Sequence, residues 1–109
     1  GVLYAHRSTI IHTYAACLPD VHAFSAWDCV LPVAPMFHAN SWGIPYCVAA
    51  VGAKLVLPGR DVSGARIHDL MLNEGVTTSA AVPTIWLDFL NQVESSNKGV
   101  GKLNRVCVG

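Results

Sequence analysis

Charge is scarce in this chain. Asp, Glu, Lys and Arg together make up 13% of its 109 residues, about half the roughly 25% usual in a soluble domain. The seven basic residues balance the seven acidic ones, and they form no run and no strip interleaved with aromatics. That excludes the electrostatic footprint of a nucleic-acid partner and of docking on an anionic membrane. Beside 52% hydrophobic residues, the low charge also excludes intrinsic disorder. It predicts that part of the surface is covered by further protein, and that the chain by itself tends to self-associate.

From Cys29 to Ala53 there is no Asp, Glu, Lys or Arg at all. A stretch of that length could cross a bilayer. Pro32, Pro35 and Pro45 interrupt it, however, and His38, Asn40 and Ser41 lie at its middle, so it reads as buried core. No secretory leader is visible. CxxC spacing is missing among Cys17, Cys29, Cys47 and Cys107, which removes the zinc-knuckle reading. Their apolar surroundings predict buried free thiols in a reducing, cytoplasmic compartment. GxGxxG, Walker, GxSxG and HExxH motifs are also lacking. No acidic residue stands at a strand end, as a phospho-receiver would need.

What remains is an alternation of helix and strand. Ser8 or Thr9 can cap a helix running to about Leu18, with Ile10, Ile11, Tyr14 and Leu18 on one face and Pro19 beyond it. The run 29–34 reads as a strand, in which Pro32 implies an edge or irregular position. Residues 44–51 read as a helix stopped by Gly52, and 54–57 as a second strand. Ser63 can cap a helix with Ile67, Leu70 and Met71 on one stripe and Gly75 at its stop. Residues 76–81 form a third strand, β-branched at its start. Pro83 suits the first turn of a helix that buries Ile85, Trp86, Phe89, Leu90 and Val93, and 105–108 form a fourth strand. The prediction is an α/β fold of three layers, with a mainly parallel sheet of about four strands and right-handed crossovers.

Open parallel sheets bind ligands beyond the carboxyl ends of their strands. Residues 36–42, 82–84 and Gly109 occupy those positions. There His38 can donate a hydrogen bond to a carboxylate or phosphate, and Trp42, four residues on, can wall an apolar pocket. A structural His38 and a core Trp42 would look the same in sequence. His6 and His12 lack ligand spacing, and His22 and His68 look like surface or helix-face residues.

Several segments carry a family likeness. Gly1-Val2-Leu3-Tyr4-Ala5-His6-Arg7-Ser8 looks like the tail of a Pro-Lys-Gly phosphate-loop signature. Pro35-Met36-Phe37-His38, with Asn40 and Trp42, looks like an aromatic-His acyl-pocket segment. Val51-Gly52-Ala53-Lys54, Val82-Pro83-Thr84 and Val108-Gly109 follow in order. Over its whole length the chain thus resembles the acyl-adenylate-forming (AMP-binding) superfamily, most of all its medium- and long-chain fatty acid–CoA ligases.

The resemblance implies that residues 1–109 are one internal fragment of the large N-terminal adenylation domain. It implies ATP, Mg²⁺ and coenzyme A as the parent enzyme's cofactors and a small carboxylic acid as its substrate. A carboxylate attacks the α-phosphorus of ATP to give an acyl-adenylate, and the coenzyme A thiolate then displaces AMP. By the same resemblance His38 is catalytic. Phe37, Asn40, Trp42, Val82, Pro83 and Thr84 approach the acid, with Trp42 as gate of an acyl tunnel, and Gly1 and Gly109 border the nucleotide. No residue is expected to bind a metal. The phosphate loop, the Tyr-Gly-x-Thr-Glu motif and the catalytic Lys of the family have no counterpart in these residues, so the chain alone is expected to make no acyl-adenylate. Other readings stay open: an adenylation domain for an aryl or amino acid, a luciferase-like oxygenase, or a non-catalytic flavodoxin-like binding or assembly module.

Overall fold

A computed structural model describes residues 1–109. Its four strands are β1 (Cys29–Pro32), β2 (Lys54–Leu55), β3 (Thr78–Ala81) and β4 (Arg105–Val108). All pair in parallel, in the order β2-β1-β3-β4. Five helical segments link or flank them: α1 (His6–Ala16), α2 (Ala39–Trp42), α3 (Ile44–Val51), α4 (Gly64–Glu74) and α5 (Pro83–Ser96).

The pleat sends successive residues of β1 to opposite faces. Cys29, Leu31 and Val33 join Ile67, Met71, Trp86 and Phe89 in a core under α4 and α5. Val30 joins Ala16, Ile44, Cys47 and Val48 in a second core under α1 and α3. The architecture is therefore three-layered α/β, as predicted.

The local stops and starts follow their sequence signals. Gly52 and Gly75 end α3 and α4 at φ of +76° and +69°, where a Cβ would be strained. The Ser63 hydroxyl accepts the Arg66 N–H at 3.4 Å at the start of α4. Pro83 occupies the first turn of α5. The Trp86 indole N–H donates to Ala81 O (3.1 Å) and Cys107 O (3.3 Å), tying α5 to the ends of β3 and β4.

Some expectations need correction. α1 begins at His6, with no side-chain cap; the Ser8 and Thr9 hydroxyls donate to Ala5 O instead. Its large residues Ile10, Ile11, Tyr14 and Leu18 are exposed, while Thr13 and Ala16 are buried. Close packing on α3 takes small side chains at the seam, and the bulky ones are left outside. Leu90 on α5 is likewise exposed. His68 does sit on a helix face, that of α4, where it is buried with Nε2 2.6 Å from Gly99 O and its ring edge-on to Phe89. Finally, Pro32 lies on a central strand. The N–H groups of Lys54 and Val56 donate to Asp28 O and Val30 O, so even-numbered residues of β1 face β2. The ladder with β2 ends at Val30↔Leu55, and the donor that Pro32 lacks would point past it.

At the amino edge of the sheet Asp28 is buried. It accepts from Ser25 N–H (2.9 Å) and Thr77 Oγ1–H (2.8 Å), and pairs with Arg105. Arg105 also donates to His22 O (2.8 Å) and Ala23 O (2.7 Å). This network joins the starts of β1, β3 and β4 and leaves the carboxyl edge free for ligands.

Candidate functional site

The chain leaving β1 at the carboxyl edge turns in an unusual way. Ala39, Asn40, Ser41 and Trp42 have φ of +46°, +53°, +55° and +56°, and Gly43 follows at +71°. Thus α2 is one turn of left-handed helix, closed by Gly43 N–H donating to Ala39 O at 3.0 Å. Left-handed backbone costs a non-glycine residue roughly 1–2 kcal/mol, so surrounding contacts must hold the turn. Ser41 is fully buried and its hydroxyl donates to Ala34 O at 2.6 Å. The Ser41 N–H reaches His38 O at 3.0 Å. Asn40 Nδ2–H donates to the Tyr46 hydroxyl at 2.7 Å. Strain held in this way concentrates at functional sites.

The turn separates two cavities. One, of about 610 Å³, lies at the carboxyl ends of β1 and β3; Phe37, Ser41, Val82 and Ile85 help line it, and Arg60 is its one charged residue. The other, of about 440 Å³, lies between α1 and the turn. Ser8, Thr9 and His12 form one wall, and Asn40, Trp42 and Tyr46 the other. Trp42 also closes over the end of β4, where a Cβ on Gly109 would lie 3.1 Å from the indole Cη2. Apolar walls with a few polar groups suit an amphipathic small molecule.

The residues singled out in the sequence divide between these cavities. Phe37, 92% exposed, and Val82 line the first; Asn40 and Trp42 line the second. His38 has extended backbone (φ −110°) before the left-handed turn begins. It is exposed and lines neither cavity. Pro83 and Thr84 are exposed at the start of α5, and Gly1 is exposed at the end of the extended segment before α1. No three His, Cys, Asp or Glu side chains come together, so these residues offer no ligand set of their own for a divalent ion.

Sequence reasoning missed Ser41, His12, Tyr46 and Arg60. The pairing of Asn40 with Tyr46, six residues on, had no periodic signal. His12 lies directly against Gly43: a Cβ there would come within 2.7 Å of the imidazole Cε1. Gly43→Ala should therefore destabilise the protein by about 1–3 kcal/mol, through positive φ and through this clash. Adding His12→Ala should restore only the part due to the clash. Urea unfolding of the single and double variants separates the two, and equal losses in both would clear the imidazole of any part.

All 109 residues match the family model described as AMP-binding enzyme. Among curated proteins, the chain is 47% identical over its full length to a medium-chain-fatty-acid–CoA ligase of Ectopseudomonas oleovorans. It is also 47% identical to a long-chain-fatty-acid–CoA ligase of Thermus thermophilus, and 45% identical to a 3-methylmercaptopropionyl-CoA ligase of Ruegeria lacuscaerulensis. In each case it covers 20% of the relative, so the chain spans about a fifth of the length of these curated relatives.

Proposed function

This chain belongs to the AMP-binding enzyme family, and on that premise we propose that it forms part of the N-terminal adenylation domain of an ATP-dependent acid–CoA ligase. The observation that carries the reading is 47% identity across all 109 residues to two ligases of fatty acids. The parent enzyme couples a carboxylic acid to ATP with the aid of Mg²⁺, and passes the acyl group to coenzyme A. We take the acid to be a medium- or long-chain fatty acid and the enzyme to work in the cytoplasm. No helix is long and apolar enough to cross a membrane.

The geometry supports a division of labour. The apolar cavity bordered by Phe37 and Val82, and the one bordered by Asn40 and Trp42, flank the left-handed turn. Trp42 occupies the boundary between its cavity and Gly109 at the end of β4. A bulky, half-buried indole there limits how long a chain can extend. His38 lies outside both cavities, exposed at the head of the turn, and its assignment to the carboxylate or its adenylate, through a hydrogen bond, rests on the family resemblance. Gly1 and Gly109 border the nucleotide. Pro83 and Thr84 complete the approach to the acid from α5.

The test is a panel of straight-chain acids with the intact ligase, following AMP release that depends on both acid and coenzyme A. Trp42→Ala should move the preferred chain length by several carbons and change the KM for ATP much less, because the indole borders the cavity assigned to the acid. An unchanged acyl profile would make Trp42 a packing residue. An absence of acid-dependent AMP release in the unaltered protein would remove the ligase reading itself.

A further inference from the structure

The seam between α1 and α3 holds two thiols that line neither cavity. Cys47 is fully buried in α3, and Cys17, which ends α1, is half-buried. The Cys17 thiol donates to Cys47 O at 3.9 Å, and the Cys47 thiol donates to Thr13 O at 3.9 Å. Each sulfur thus touches the backbone of the other's helix, and both pack in the same apolar cluster. The two remaining cysteines, Cys29 and Cys107, are also free.

We propose that Cys17 and Cys47 form a reversible disulfide when the protein meets a small-molecule disulfide such as oxidised glutathione. The order of attack follows from exposure. Burial, and then the neighbouring Cys17, push the Cys47 thiol well up, which leaves the half-exposed Cys17 as the initiating nucleophile. Its thiolate attacks one sulfur of the oxidant, the oxidant's S–S bond breaks, and one glutathione leaves with the proton that Cys17 gave up. Cys47 then attacks the Cys17 sulfur of this mixed disulfide. The second glutathione leaves with the proton from Cys47. Two protein thiols lose two electrons in all, and one glutathione disulfide becomes two thiols.

The bond would fasten the end of α1 to the middle of α3. These two elements carry His12 and Tyr46, on opposite walls of the smaller cavity. Oxidation therefore fixes the spacing of those walls, whatever molecule the cavity receives.

The experiment is to equilibrate the intact protein in glutathione redox buffer and digest it without reductant. The expected result is a Cys17–Cys47 linked peptide, the loss of two reactive thiols per chain, and full reversal by dithiothreitol. The Tm of the oxidised protein should exceed that of the reduced one, and Cys17→Ser and Cys47→Ala proteins should show no such rise. Lasting glutathione on Cys17 with no linked peptide would overturn the proposal. So would linkage through Cys29 or Cys107, or retention of both thiols. None of these readouts depends on ligase activity, so the pair stands or falls apart from the functional reading.

Discussion

Asp28→Ala is expected to destabilise the fold by about 3–5 kcal/mol, the usual result of removing one partner from a buried ion pair. Asp28 accepts hydrogen bonds from Ser25, Thr77 and Arg105. Removing it leaves the Arg105 guanidinium, two-thirds buried, bound only to backbone carbonyls. The effect should also depend on pH. Burial alone would push the Asp28 carboxyl up; the bonds from Arg105, Thr77 and Ser25 outweigh it and draw the pKa down to about 2 from 3.8. A carboxylate with a lowered folded-state pKa stabilises the fold in its charged form. This contribution, about 2 kcal/mol, is complete above pH 3.8 and is lost as pH falls through 2. Urea midpoints of the native protein and Asp28→Asn should converge over that interval. A constant gap from pH 6 to pH 2 would mean that Asp28 does not titrate as part of this network.

Gly64→Ala should destabilise by about 3 kcal/mol, as overpacking of a rigid contact does. Helix propensity favours alanine over glycine by about 1 kcal/mol in a helix interior, but Gly64 is the first residue of α4, where that preference has little weight. Sterics decide the matter here. A Cβ on Gly64 would lie 2.6 Å from the carbonyl carbon of Asp88 and 3.0 Å from its Cγ. The Gly64 N–H already donates to the Asp88 carboxylate. Backbone cannot swing aside as a side chain can, so α4 and α5 must part, loosening Ile67, Met71 and Phe89 between them. A Tm raised by Gly64→Ala would show that the helices are not in this contact.

The two substitutions also mark what could be read from the sequence. Signals that act within a few residues were legible: Gly52 and Gly75 at helix stops, Pro83 at a helix start, and β-branched residues leading into β3. The carboxyl-edge positions of residues 36–42, 82–84 and Gly109 followed from the strand order. Interactions between distant residues were not legible. Arg105 pairs with Asp28 across 77 positions, and no local pattern announces it. Periodicity placed Ile10, Ile11, Tyr14 and Leu18 on one face of α1, but could not say whether anything lies opposite that face. The left-handed turn was hidden because Ala, Ser and Trp do not favour positive φ. Only Asn40 and Gly43 tolerate it by themselves, and the buried Ser41 holds the rest in place.

The position of Pro32 has a consequence during biosynthesis. β1 pairs with β2 at Val30↔Leu55 and with β3 at Pro32↔Ala80, so both of its neighbours emerge from the ribosome after it. At roughly 5–20 residues per second, β2 follows about 1–4 s later and β3 about 2–9 s later, so the apolar segment waits first with both edges open and then with one. Such an edge recruits strands from other nascent chains. Pro32 and Pro35 deprive the end of this segment of two donors, which cuts short any foreign ladder that starts on it. In the finished sheet the donor missing from Pro32 falls beyond the end of β2 and goes unneeded. The proline is thus expected to limit foreign strand pairing while the chain is being made, at little expense to the fold it ends in.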